Sequence, residues 1–231
     1  MASPPSSPNA FLTPPQSMNK FRFIFIGFML TFMSSWVGLV LLPIWGLGNF
    51  EQVPDPETGE MIPPVFSSLE REGHRVYIAN GCIYCHSQQV HPARVRSDIE
   101  RGWGERRTVP RDYMNQETVQ MGTMRTGPDL SNIGVRNPSE TWHLLHLYNP
   151  QITSKGSNMP PFKFLFETRK KDPEKPAANA LNFPKGFGPG KDFEVTPSHE
   201  MLALVAYLQS LKLSSYEIPE APAARVDSLA K

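Results

Sequence analysis

The sequence predicts a mainly α protein: one N-terminal transmembrane helix followed by a helical domain with long loops. Three observations carry that reading. Residues 21–47 form an apolar run in which Arg22 is the last charge before Glu51. Near the other end, Ser198-His199-Glu200 opens an apolar stripe at helical spacing, with Leu202, Val205, Ala206 and Leu208 on it. Between them, Gly81-Cys82-Ile83-Tyr84-Cys85-His86 holds both cysteines of the 231-residue chain in one short motif.

Residues 1–19 are proline-rich and read as a tail. Residues 20–47 read as the anchor, because a helix of that length covers a hydrocarbon core of about 30 Å with some tilt. Trp36 falls in mid-span, Trp45 suits the far interface, and Pro43 stands near the helix exit, where it is tolerated. A cleaved secretory signal fits less well: the run is too long for its apolar core and has no clear small-x-small cleavage site. Lys20 and Arg22 flank the start, whereas no Lys or Arg occurs between Leu47 and Glu70. The positive-inside bias then puts the N-terminal tail in the cytoplasm and the large C-terminal domain across the membrane, with lipid as the first partner.

Residues 48–63 read as a linker, and proline in Val53–Pro64 and Asp172–Pro197 marks loops rather than packed elements. From Pro64 the pattern predicts a helix leading into the cysteine motif, with Val65, Phe66, Leu69, Val76, Tyr77 and Ile78 as its apolar positions. Gly73 weakens that helix, and Gly81 allows a turn before Cys82. The terminal helix takes Ser198 as its N-cap, and its small Ala203 and Ala206 permit close approach of another helix. A helix before the motif and one at the end of the domain can therefore cross and close a small bundle. Residues 64–213 form that domain, and residues 214–231 a C-terminal tail.

A Cys-x-x-Cys-His segment places two thiols to add to the vinyl groups of a haem and a histidine to ligate its iron. A closed zinc site would need four ligands; no second cysteine pair exists, and His74, His91, His143, His146 and His199 lack paired finger spacing. A thioredoxin-like dithiol needs a βαβ context that is missing, and chance is the remaining alternative. The expectation is one covalently bound haem c, single because no internal repeat is visible. Covalent attachment in bacteria belongs to the periplasmic side, in agreement with the orientation read from Lys20 and Arg22.

Two loops carry ligand chemistry. In Arg125-Thr126-Gly127-Pro128-Asp129-Leu130, the Pro128 carbonyl can accept the other ring N–H of His86, although an ordinary Gly-Pro turn is the alternative. In Ser157-Asn158-Met159-Pro160-Pro161-Phe162, a methionine held by two prolines is unlike a core-filling one, so Met159 is expected as the sixth ligand. Met121, Met124 and Met201 compete for that role, and His143 and His146 offer bis-histidine ligation. Lys and Arg total 23 against 22 Asp and Glu, a formal +1. With no basic helix and no glycine-rich phosphate loop, nothing points to nucleic acid.

Cys82-x-x-Cys85-His86, Thr126-Gly127-Pro128-x-Leu130, Met159 and the terminal Ala206-Tyr207-Leu208 helix together resemble a class I cytochrome c domain across Pro64 to Lys212. A narrower resemblance rests on GCIYCHSQQVHP, the arginine-rich insertion (Arg94, Arg96, Arg101, Arg106, Arg107, Arg111), RTGPDL, HLYNP and SNMPPF. With the anchor, the chain is similar to the monohaem subunit II of cbb3-type cytochrome c oxidases from Phe21 onward. The departures are the proline-rich N-terminal tail and Lys170–Gly190. The resemblance implies a haem held by Cys82, Cys85, His86, Arg125, Pro128, Leu130 and Met159, with His86 and Met159 on the iron. It implies a bacterial cytoplasmic-membrane protein, single-pass, with the haem domain in the periplasm. Its partners are another c-type cytochrome subunit as donor and the catalytic haem-copper oxidase subunit, whose haem b receives the electron; the insertion packs against that subunit. With both axial positions filled the chain is a carrier with no catalytic residues of its own. The monohaem subunit of a nitric oxide reductase and a freestanding membrane-anchored shuttle cytochrome remain the alternatives.

Overall fold

A computed structural model describes residues 20–213 apart from Asn49 and Glu57; the expected tails, 1–19 and 214–231, lie outside the described residues. The chain divides into two units, Met1–Phe50 and Glu51–Lys231. In the first, helix α1 (Phe21–Trp36) passes through one π-helical turn (Val37–Leu41) into α2 (Leu42–Leu47). The wide turn has a local cause. Pro43 lacks the N–H that would bond the Leu39 carbonyl and its ring crowds that carbonyl; the helix widens just before it, and the Leu42 N–H bonds Val37 instead. Thr31 and Ser34, two of the hydroxyls of the span, bond carbonyls of the preceding turn, which satisfies them inside the helix. Phe21–Gly46 has a mean hydropathy of 2.1 over its most apolar window, with none of it buried in the fold. A helix this long and apolar suggests a membrane anchor.

The second unit is mainly helical and includes the residues 51–63 expected as linker. There β1 (Val53–Pro54) and β2 (Met61–Ile62) form a two-stranded antiparallel hairpin in place of the expected loop. Two-residue strands tolerate Pro54, because nothing needs to bond on its outer side. Helix α3 (Ser68–Ala79) begins later than Pro64, at a capping box: Ser67 Oγ accepts from the Glu70 N–H and Glu70 returns a carboxylate to the Ser67 N–H. Short helices α4 (Ile133–Arg136) and α5 (Glu140–Tyr148) follow the insertion, α5 capped by Ser139. The last helix, α6 (His199–Ser210), is capped by Ser198 as expected.

Helices α3 and α6 cross at Gly73. A Cβ there would lie 1.9 Å from the Ala203 carbonyl oxygen and 2.8 Å from the Tyr207 Cβ. The residue that weakened the sequence pattern is thus the one that lets the helices touch, and fully buried Ala203 completes the crossing. Tyr77, Leu204, Val205, Tyr207 and Leu208 build the core on it, with Leu144, Leu147 and Tyr148 of α5 packed in.

Strands β3 (Phe166–Lys170) and β4 (Phe193–Pro197) pair antiparallel, Phe166 opposite Pro197 and Lys170 opposite Phe193. The prolines of Asp172–Pro197 predict only a loop there, and β4 departs from that expectation. β4 has no turn signal linking it to its partner, because a long Pro- and Gly-containing segment separates the two. Burial of Val195 and the pairing of Arg169 with Glu194 across the hairpin hold it.

The arginine-rich insertion is organised by buried ions more than by apolar contact. Arg106, 1% exposed, makes a bidentate pair with Asp112 at 2.7 and 2.9 Å and donates to the Arg107 carbonyl. Asp98 accepts from the His91 N–H and ring and from Arg125, whose guanidinium also donates to the Gln89 carbonyl. Burial works against ionising Asp98, but these donors outweigh it and hold its carboxyl below the usual range.

Candidate haem site

Helix α3 ends at Ala79 with Asn80 as its C-cap, and Gly81, at φ +67°, swings the chain into a 3₁₀ turn, Cys82–Tyr84. The His86 N–H bonds the Cys82 carbonyl, so the motif closes on itself. The loop 127–130 then runs beside it. Gly127 N–H donates to the Cys85 carbonyl at 2.9 Å and Leu130 N–H to the Ser87 carbonyl at 2.8 Å. Between these two bonds, His86 Nδ1 lies 2.8 Å from the Pro128 carbonyl oxygen. A carbonyl can only accept, so Nδ1 carries the proton and Nε2 keeps its lone pair. A side chain at position 127 would destroy this approach, its Cβ falling 2.2 Å from His86 Cε1. Burial pushes the imidazole pKa down, with the Pro128 bond opposing it, so the ring is neutral and able to ligate.

A cavity of about 570 Å³ opens beside these residues. Cys82, Cys85, His86, Thr126, Pro128, Leu130 and Met159 all line it, with Tyr77, Leu204 and Leu208 among its apolar walls. Both cysteines are free thiols, and burial pushes Cys82 up to about 11. Met159 is half-buried, its N–H bonded to Ser157 Oγ, and the Phe162 N–H ties the end of its loop to the Leu147 carbonyl of α5. The rival methionines stand elsewhere: Met121 and Met124 are exposed, and Met201 is fully buried in the core. Arg125 does not line the cavity; its guanidinium is taken up by Asp98 and the Gln89 carbonyl.

His143 and His146 of α5 also reach the cavity. His143 Nε2 bonds the Asn137 carbonyl, and His146 Nδ1 bonds Thr153 Oγ1 while its ring stacks on Trp142 at 4.8 Å. Burial lowers both, His146 to about 4 with His86 and His143 adding to the effect, so both are neutral wall residues. Arg136 was not singled out from the sequence. It lines the cavity, gives one N–H to the Asp129 carbonyl and leaves a buried Nε without a partner.

Two thiols, an imidazole with a free Nε2, a thioether and apolar walls around one cavity of this size fit a haem of the c type. Among the described residues, no group of three or more His, Cys, Asp or Glu side chains forms a separate site for a bare metal ion. The helical fold and this donor set are those of a small haem-carrying domain. Residues 41–183, well over half the chain, match the family described as "Cytochrome C oxidase, mono-heme subunit/FixO", and the chain belongs to that family. It is a mono-haem cytochrome oxidase subunit. The matched segment contains the motif, the 125–130 loop and Met159. No curated protein matches the chain.

Proposed function

We propose that the chain is the electron-carrying subunit of a cbb3-type haem-copper oxidase, holding one haem covalently through Cys82 and Cys85 with His86 and Met159 as axial ligands. The observation that carries this reading is the convergence of those four side chains on one cavity in a member of a mono-haem oxidase-subunit family. The haem, when bound, supplies a one-electron iron couple. The chain does the rest. Cys82 and Cys85 tether, the Pro128 carbonyl orients His86, and Tyr77, Leu204 and Leu208 keep water from the site. Pro128 and Leu130 serve as cofactor-binding residues through that wall, whereas Arg125 acts by tying down the loop that carries them. Phe21–Gly46 anchors the subunit in the bacterial cytoplasmic membrane and its lipid, with the haem domain in the periplasm. The electron comes from another c-type cytochrome subunit and leaves for haem b of the catalytic subunit, where O₂ is reduced to water.

The match to an oxidase family favours this over a nitric oxide reductase subunit or a freestanding shuttle. Purification in mild detergent should bring down a copper-containing haem core with the chain. A di-iron NO-reducing core, or the chain alone, would overturn the assignment. The axial pair is checked separately. Met159→His should keep the iron low-spin, lower its potential and abolish the weak near-infrared charge-transfer band of thioether-ligated ferric haem, because a thioether favours the reduced iron more than imidazole does. Survival of that band would return the sixth position to another methionine, and its absence from the unaltered protein would return it to His143 or His146.

A further inference from the structure

Asp129 is 0% exposed and lies between the axial histidine's partner and the segment that follows the histidine. Its Oδ2 accepts from Ser87 Oγ at 2.6 Å and from the Gln89 N–H at 2.7 Å, and its Oδ1 accepts from the Ser131 N–H at 2.8 Å. Arg125 stands 3.7 Å from Oδ2 without a hydrogen bond, and Arg136 donates to the Asp129 backbone carbonyl. Three donors therefore face a buried carboxylate whose own residue follows Pro128. Residues 85–89 and 127–131 are joined through it and through the Gly127–Cys85 and Leu130–Ser87 backbone bonds.

We propose that Asp129 is a positioning residue that sets the reduction potential of the site, by fixing the Pro128 carbonyl on His86 and by keeping a buried negative charge beside the axial histidine. Resting on the reading that His86 ligates a haem iron, the proposal assigns two effects of the same sign. A firmly held carbonyl on Nδ1–H increases electron donation by the ring, as partners of metal-bound histidines do. A buried anion a few bonds away stabilises the more positively charged oxidised iron, and low local dielectric preserves that interaction. Ser87, Gln89 and Ser131 make burial of the charge tolerable by bonding it. A residue that merely held the loop would act differently. Its loss would open the site to water, which also favours oxidised iron and lowers the potential.

The opposite signs make the test. In the full-length chain carrying its haem in detergent, Asp129→Asn should raise the midpoint potential while the iron stays low-spin. Ser87→Ala loosens the carboxylate's hold on the two segments but keeps the charge, so it should raise the potential by less than Asp129→Asn does. An unchanged or lowered potential in Asp129→Asn, or equal upward shifts in both variants, would overturn the proposal. If Asp129→Asn loads no haem, Ser87→Ala decides alone: an upward shift supports the role and an unchanged or lowered potential overturns it. Wild-type protein without covalent haem on a denaturing gel would instead defeat the underlying haem reading, so the two failures are distinct.

Discussion

Replacing both Cys82 and Cys85 by alanine should leave a chain that still enters the membrane but carries no haem on a denaturing gel stained for haem peroxidase activity. Each single alanine variant should retain a weaker band, since one thioether still survives denaturation. The argument is stoichiometric as well as geometric. The chain has two cysteines, both free thiols, and both lie on the same cavity as His86 and Met159. Cys85 is exposed at the mouth while Cys82 sits deeper, with its pKa raised by burial; the thiolate is the nucleophile of cysteine chemistry, so of the two singles Cys85→Ala should lose more of its haem. A haem band of normal intensity in the double variant would remove the covalent reading altogether.

Arg106→Met should destabilise the haem domain by about 3–5 kcal/mol, the cost of leaving one partner of a buried ion pair uncompensated. Arg106 is among the largest fully buried side chains, and its bidentate bond to Asp112 also fixes the Asp112 bond to the Val109 N–H. The double variant Arg106→Met with Asp112→Leu should recover much of that loss, because well-packed apolar replacements for a buried pair are often close to neutral. Urea midpoints followed by far-UV circular dichroism measure both. A loss below about 1 kcal/mol in the single variant would place this pair with surface ion pairs and contradict the burial seen here.

Much of the helical frame was legible because its signals are local. The apolar run after Arg22, the Ser198 cap and the Cys82–His86 motif each state their structure within a few residues. Gly73 was legible only as a weakness, since its use depends on Ala203 and Tyr207 arriving from far along the chain. The β3–β4 hairpin failed for the same reason: Phe193–Pro197 is too short to announce a strand, and its partner lies beyond a proline-rich segment. At the site, the Pro128 carbonyl could be anticipated from the order of motif and turn. Asp129 could not, because three donors meet a carboxylate only once the two loops are side by side. Arg106 read as one basic residue among six, and nothing in its neighbours tells a buried arginine from a solvated one.

The crossing at Gly73 also has a bearing on the order of events during synthesis. The thiols emerge from the ribosome with residues 82–86, yet Leu204 and Leu208, which wall the cavity, belong to the last described helix. Until that helix arrives, α3 has no partner for its Gly73 face and the two cysteines have no enclosing pocket. On the proposed function, haem attachment would meet an open, accessible segment before α6 packs and a half-closed crevice afterwards. Packing of α6 against α3 at Gly73 is what supplies the cavity's Leu204 and Leu208 wall.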